Sequence, residues 1–418
     1  MTANKLNNTD KFIKDIQDLL KNYFENKQVK QFNNNLLLRY GIKLTPSKIN
    51  ETDRKQLEAA FSPAKERFHV DRAITYAEKK LTGNKFVELL LNLGQVCIAH
   101  GKFNFANEIL TKARKISADK KLTAEINLSF GDLYGRITDF DRSKKYTQKA
   151  KTQFAEIKNK LGVAKSDNTL GTLYAEFGNL KKAKQYFEKS LENVDQGNNK
   201  DMIGLLEGNI AIIYNIYKEH DLAVTHFNKA LKIFQDLKQQ RRIAEIKHNL
   251  GMVYADQKYY HSALNELDDS IEISIGEGLK SILGLSYLSK ANILIELQEY
   301  KFAKAFAEKA LEVSHETDDK LTIADFYKAL GKIEINLQNY NLAENYFLSC
   351  LRINKNNNNQ INIAEVSFEL AKIYNLLGKE TERDIYANAA IKYYTKIEHR
   401  IKVNEIEELL NTESMLTV

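Results

Sequence analysis

Eight histidines, His69, His100, His220, His226, His248, His261, His315 and His399, are spread along the 418 residues. None stands in the His-Glu-x-x-His spacing that sets two imidazoles on one helical face, and none falls at metal-ligand spacing from a cysteine. Cys97 and Cys350 are too few and too far apart for a disulfide framework, which fits a reducing compartment. No Gly-x-x-x-x-Gly-Lys-Ser/Thr loop offers a phosphate cradle. The carboxylates are scattered, and at helical spacing a scattered carboxylate serves solvation or pairing one turn away rather than acid–base chemistry. Asn92, Asn209 and Asn249 share one place in a repeating pattern. An amide donates and accepts at once, so it matches the C=O and N–H of a peptide unit whatever the sequence. The expected chemistry is recognition, with no enzymatic activity, metal or cofactor.

The pattern that positions these amides is an internal repeat. Gly or Ala recurs at Gly94, Gly131, Gly171, Ala211, Gly251, Ala291, Gly331 and Ala371, one step of 37 residues followed by six of 40. Twelve residues after each of these anchors stand Ala106, Ser143, Ala183, Ala223, Ala263, Ala303, Ala343 and Arg383. Nineteen after stand Ala113, Ala150, Ser190, Ala230, Ser270, Ala310, Cys350 and Ala390. Bulky residues follow most anchors by three, as at Tyr134, Tyr174, Tyr214, Tyr254 and Tyr374. Small side chains alternating with large ones at helical spacing predict an antiparallel helix pair per repeat, the small residues letting two backbones approach. One pair cannot bury its apolar face alone, so the pairs must stack. Polar clusters at Gly197-Asn198-Asn199 and Asn356 to Asn359 predict inter-repeat turns, and no proline follows Pro63 to interrupt the helices.

The Leu-Gly-x-x-Tyr core, at Leu170-Gly171 with Tyr174 and at Leu250-Gly251 with Tyr254, and Ala-x-x-x-Phe-x-x-Ala, at Ala223, Phe227 and Ala230, resemble the tetratricopeptide repeat (TPR) family. The resemblance spans residues 86–398. The period of 40 is longer than that family's usual 34, and the closing proline is missing; longer repeats of this kind are similar to those of kinesin light chains, Pins-type scaffolds and bacterial Rap regulators. The resemblance implies an all-α, right-handed superhelical solenoid of about eight hairpins. It also implies that the first helix of each pair lines a concave groove, where an asparagine two residues before the anchor grips the ligand backbone.

Positions six and two before the anchor and one and five after it share one helical face. They give Glu88, Asn92, Gln95 and Ala99; Glu125, Ser129, Asp132 and Arg136; Lys165, Thr169, Thr172 and Glu176. An apolar patch follows at Leu205, Asn209, Ile212 and Ile216, then Glu245, Asn249, Met252 and Asp256. The last strips are Leu285, Ser289, Asn292 and Glu296; Asp325, Ala329, Lys332 and Asn336; Glu365, Glu369, Lys372 and Leu376. The expected peptide-binding residues are Asn92, Gln95, Arg136, Lys165, Leu205, Asn209, Ile212, Ile216, Asn249, Met252, Asn292, Lys332 and Lys372.

Residues 1–85 break the repeat phase and hold both prolines, Pro46 and Pro63. Phe12, Ile13, Ile16, Leu19, Leu20, Tyr23 and Phe24 predict an amphipathic helix over 11–25, an N-terminal extension or cap. Ala73, Tyr76 and Ala77 suggest the second helix of a degenerate repeat within 60–85. The array runs over 86–398, and 399–418 supplies a capping helix, at 400–411, and a tail. Residues 1–85 carry 17 Lys/Arg against 10 Asp/Glu; from 86 onward the count is 45 of each, so the body is neutral as a segment. Nucleic acid is therefore expected only through the basic N-terminal region. No stretch approaches the roughly 18 apolar residues of a membrane span, no signal sequence is visible, and a cytoplasmic protein is expected. The reading is a protein- or peptide-binding scaffold. Two alternatives stand beside it: a peptide-sensing regulator similar to Rap proteins, acting on a response regulator or DNA through the N-terminal module, and a structural protein that assembles with its own copies.

Overall fold

Helices of this chain end in the same way over and over, and that ending sets the architecture. In the computed structural model, which describes residues 8–29, 51–195, 197–317, 319–396 and 399–411, all regular structure among the described residues is α-helical. Pro46 and the tail 412–418 lie outside the described residues. From Lys120 onward a new helix begins every twenty residues. Where a helix stops, one residue adopts the left-handed conformation: Thr138, Lys158, Gly178, Lys218, Lys238, Lys258, Gly278, Gln298, Gln338, Asn358 and Gly378. At the best-formed ends the residue after it donates its N–H back to a carbonyl in the last turn. Tyr259 N–H reaches Tyr254 O at 2.8 Å while Lys258 N–H reaches Ala255 O at 2.9 Å, the paired bonds of a Schellman cap. Many of the next helices start on an Asp or Asn whose side chain accepts a first-turn N–H. Asp119 caps Leu122 at 2.8 Å, Asn159 caps Gly162 at 2.9 Å and Asp319 caps Thr322 at 3.1 Å.

The chain divides into two compact units, 1–199 and 200–418. In the first, α1 (Asn8–Lys21), α2 (Glu51–Lys80), α3 (Gly83–Ala99), α4 (Phe103–Ile116), α5 (Lys120–Arg136), α6 (Phe140–Glu156), α7 (Lys160–Glu176) and α8 (Leu180–Asn193) follow in order. The second holds α9 (Lys200–Ile216), α10 (His220–Asp236), α11 (Gln240–Asp256), α12 (Tyr260–Gly276), α13 (Lys280–Glu296), α14 (Tyr300–Thr317), α15 (Lys320–Asn336), α16 (Tyr340–Asn356), α17 (Gln360–Leu376), α18 (Glu380–Lys396) and α19 (Arg400–Asn411). Consecutive helices pair from α3–α4 through α17–α18, the anchor lying on the first helix (A) and the two later small positions on the second (B). The turns at 197–199 and 357–359 fall where the polar clusters predict them.

All three small-residue positions are buried in every repeat. A β-carbon at Gly171 would lie 2.5 Å from the Phe187 ring, and one at Gly331 2.7 Å from the Phe347 ring. Both rings stand sixteen residues after their anchor. Where the anchor is Ala291 or Ala371, the residue sixteen on is Ala307 or Ala387, whereas Ala211 still has Phe227 at that place. Serine in a small slot satisfies itself on the facing helix: Ser190 Oγ donates to Ala164 O at 2.7 Å and Ser270 Oγ to Ala244 O at 2.9 Å. The tyrosine three after the anchor stacks on the residue fifteen after it, Tyr174 on Tyr186 at 5.4 Å and Tyr374 on Tyr386 at 5.5 Å.

α1 begins three residues earlier than its periodicity predicts and ends at Lys21, leaving Tyr23 and Phe24 in the following turn. Phe12, Ile16 and Leu20 are buried against α2 and α3. Thr9 Oγ1 donates to the buried Glu66 at 2.9 Å, and Lys102 pairs with that same carboxylate at 2.7 Å. Pro63 lies inside α2. At the far end α19 packs on α18 with Ile406 fully buried.

Two stability outcomes follow from the packing and the caps. Gly331→Ala is expected to cost about 1–3 kcal/mol, read as a lower urea midpoint, with a smaller cost when introduced into a Phe347→Ala background; equal costs in both backgrounds would dissociate the anchor from that ring. Lys258→Gly, which relieves a left-handed backbone (φ 62°) at an exposed side chain, is expected to raise stability by about 0.5–1 kcal/mol.

Candidate binding surface

Within each unit successive A helices touch one another more than successive B helices do, so the A helices form the inner side of each stack. Position along the A face decides what is open. The residue five after the anchor is exposed in all eight repeats, whereas the residue two before it is exposed in none. That earlier position sits at the seam between neighbouring A helices. Ser129 and Ala329, expected on the open strip, are buried there: Ser129 Oγ accepts a hydrogen bond from Gln95 Nε2 at 3.1 Å, and Ala329 packs among Phe326, Leu330 and Ala303.

The expected binding residues divide between the units. In the first, Asn92 is partly buried and donates through Nδ2 to the Tyr23 hydroxyl at 2.6 Å, so the chain's own N-terminal arm occupies this amide. Gln95 bridges to the next A helix, Arg136 lies exposed against Asp132 at 3.4 Å, and Lys165 is exposed. Beside Asn92, a cavity of about 320 Å³ opens between α3 and α5, lined by Asn84, Glu88, Leu91, Asp119, Lys121 and Glu125. Burial raises the Tyr23 hydroxyl above its ordinary pKa, the Asn92 hydrogen bond opposes this, and Glu88 adds to the rise.

In the second unit Ile212 and Ile216 are 40% and 50% exposed on α9, while Leu205 is drawn partly into the core between α9 and α11. Asn209 and Asn249, on successive A helices, are partly buried, and Asn209 is engaged by a neighbouring group. Met252, Asn292 and Lys332 are partly buried too. Lys372 pairs with Glu369 at 3.0 Å and lies 4.2 Å over the Phe368 ring, so its charge is held along its own helix.

Polar braces within the stacks were not read from the sequence. Lys328 lies 3.0 Å from both Asp325 and Glu365, tying α15 to α17. Burial pulls its pKa down, but the two carboxylates outweigh that and hold it raised, so the ammonium stays charged. Asp167, buried beside Lys151, has its pKa raised by burial against the pull of that lysine. His226 meets Glu207 at 2.5 Å and stacks on Tyr214. Apart from the i,i+3 pair of Asp325 and Lys328, these contacts join residues from different helices at separations that no local motif announces. Burial pushes the thiols of Cys97 and Cys350 up to about 12, which keeps both protonated at neutral pH. Among the described residues no His, Cys, Asp and Glu cluster has metal-holding geometry, and no helix is long and apolar enough to cross a membrane.

The geometry is that of stacked helix hairpins with an open A face, and comparison with known proteins agrees. Models described as tetratricopeptide repeat match residues 202–275, and also 168–193, 285–315 and 324–357. The chain therefore carries tetratricopeptide repeats, and its structural neighbours are Rap proteins and other proteins built from them. It is similar to a Rap protein complexed with competence and sporulation factor, with a TM-score of 0.61 at 13% identity, over 83% of this chain and 96% of that one. Aspartyl phosphate phosphatase F from Bacillus subtilis matches with a TM-score of 0.53 at 15% identity, over 100% and 99%. The Rap conjugation gene regulator of plasmid pLS20, in complex with the Phr* peptide, gives 0.53 at 16%, over 78% and 98%. Identities this low establish a shared fold. No curated protein matches the sequence.

His248, partly buried on α11, faces two serines. Its Nδ1 lies 3.2 Å from Ser286 Oγ, which in turn meets Ser270 Oγ at 3.0 Å. Burial lowers the histidine from its ordinary 6.5 to about 4, so the fold holds a neutral ring. The unfolded chain takes up a proton below 6.5 that the fold refuses; stability present above that pH is therefore lost as pH falls toward 4. The loss is expected to reach on the order of 3 kcal/mol. Urea midpoints compared at pH 7 and near pH 4.5 should fall further for the wild type than for His248→Gln; an equal fall in both would clear His248 of the effect.

Proposed function

We propose that the protein is a non-enzymatic scaffold that binds an extended peptide or a partner's segment on its A-helix face. The observation that carries this reading is the pair Ile212 and Ile216, large apolar side chains left open on α9 next to the partly buried amides Asn209 and Asn249. An apolar ligand side chain would be removed from water by the isoleucines, worth about 1.5–3 kcal/mol when fully buried, while the amides pair with the ligand backbone. Lys332, further along the same unit, would favour an acidic ligand position, and Lys372 would do so only by leaving Glu369. In the first unit, Asn92, Gln95, Arg136 and Lys165 form the corresponding set. We take residues 1–85 as an N-terminal extension, 86–398 as the array and 399–418 as a C-terminal cap, in a cytoplasmic protein that needs no cofactor. The fold shared with a complex of a Rap regulator and a Phr* peptide supports the same direction.

A second reading, a peptide-sensing regulator, is favoured by one contact: Asn92 holds Tyr23, so a ligand that engages this amide displaces the N-terminal arm. The arm would then report occupancy of the A face.

Affinity capture from source lysate, followed by mass spectrometry, compares the wild type with Asn209→Ala/Asn249→Ala and with Ile212→Glu. Ile212 is exposed, so its substitution should leave stability within about 0.5 kcal/mol. A partner lost by both variants is the expected outcome. One retained by both moves recognition off the A face and overturns the proposal.

A further inference from the structure

The B helices of the first unit face outward, and their charge is one-sided. Across α4, α6 and α8 there are twelve Lys or Arg against five Asp or Glu, an excess of seven that equals the net charge of the entire chain. Counted along the sequence, the body from residue 86 is neutral; the neutrality conceals a difference between the B helices of the two units. α12 in the second unit, by contrast, carries Glu266, Asp268, Asp269 and Glu272 with no Lys or Arg.

Several of these cations are held in place by rings. Arg114 lies 5.1 Å over Phe130, Lys182 5.3 Å over Tyr174, and Lys189 5.8 Å over Tyr186. Others have no partner: among the described residues no carboxylate pairs with Lys115, Lys145, Lys149 or Lys181, and all four are exposed. Lys112, Lys149 and Lys189 fall at one repeat position, eighteen after the anchor, and form a row across the three helices. Lys112 is engaged by Glu78 at 3.1 Å.

What such a face can bind follows from what it lacks. A protein partner needs a desolvated apolar centre inside its polar rim, supplied by anchors such as large aromatic or aliphatic side chains. Of the exposed large apolar residues only Ile116, the last residue of α4, lies on these three helices, and a single side chain at a helix end is not such a centre. A nucleic acid needs no such centre, because cations alone release its condensed counterions.

We propose that the outer face of α4, α6 and α8 binds nucleic acid through its phosphates, without reading sequence. Lys115, Lys145, Lys149 and Lys181 make the principal phosphate contacts, and the ring-seated cations flank them. The contact uses B helices of the first unit, whereas the residues that carry the peptide reading lie on A helices of the second, so the two sites share no residue.

The test uses the full chain and a fluorescein-labelled DNA duplex of about 20 base pairs, titrated by anisotropy between about 50 and about 200 mM salt. Binding is expected with a slope of log affinity against log salt of about −4. Lys145→Glu/Lys149→Glu/Lys181→Glu should bind at least about tenfold more weakly with a slope shallower by about 2–3. Lys229→Glu/Lys301→Glu/Lys304→Glu, three exposed lysines of the second unit, should bind as the wild type does. Circular dichroism confirms that each variant is helical. Three results would overturn the proposal: no binding at the lowest salt, equal loss in both triple variants, or polyglutamate of matching length binding as tightly as the duplex. The last would assign the face to an acidic protein instead.

Discussion

Everything in this chain depends on two helix backbones coming close enough for a glycine or alanine to touch the side chain that stands sixteen residues later on its partner. The approach is local, made anew in each repeat. Because it is short-range, it fixes the rotation of both helices and therefore which residues face inward, which face the neighbouring repeat and which are left to solvent. At Gly331 the constraint is tightest, because a β-carbon there would run into the Phe347 ring, while Ala291 has only Ala307 at the corresponding place. Hydrogen-bonding serines in the small slots meet the same limit without leaving a polar atom stranded.

Much of the fold was legible because that constraint writes a period. Small residues at three fixed offsets name both helices of a pair, and the Asn and Gly clusters mark turns that fall at 197–199 and 357–359. The A face was legible less completely. A four-position strip treats the helix as if only its own face mattered, but the position two before the anchor lies under the adjacent A helix, which closes Ser129 and Ala329. Nor could spacing reveal Tyr23 on Asn92, since the arm that carries the tyrosine lies outside the repeat phase. The same holds for Lys328 between Asp325 and Glu365, a contact made only when two repeats have stacked.

The two sides of the repeats answer to different demands. Inward positions are tuned by packing and by polar braces whose charges are already matched, so they leave little net field. Some charged positions of the B helices are braced to neighbouring helices, as Lys151 is to Asp167, but others, such as Lys145 and Lys149, are exposed and carry no such brace, and these are free to serve something outside the chain. The first unit spends that freedom on cations, several of them seated on rings that the repeat supplies for its own packing. A summed charge along the sequence averages these three helices with the rest of the chain and loses the distinction.

The regular twenty-residue step from one helix start to the next has an effect on folding. The backbone alone cannot tell an A helix from a B helix, since both have the same spacing and, in most repeats, the same left-handed ending. A chain sliding by one helix would meet the right lengths and the right turns. Side chains break the degeneracy. In an A helix the anchor stands eleven residues after the start, as Gly251 does from Gln240; in a B helix the small residue stands ten after, as Ser270 does from Tyr260. One residue on a helix is a rotation of about 100°. A slipped chain would turn its small residue away from the close approach and drive a large one into it, so that offset of a single position guards the stack against assembling out of register.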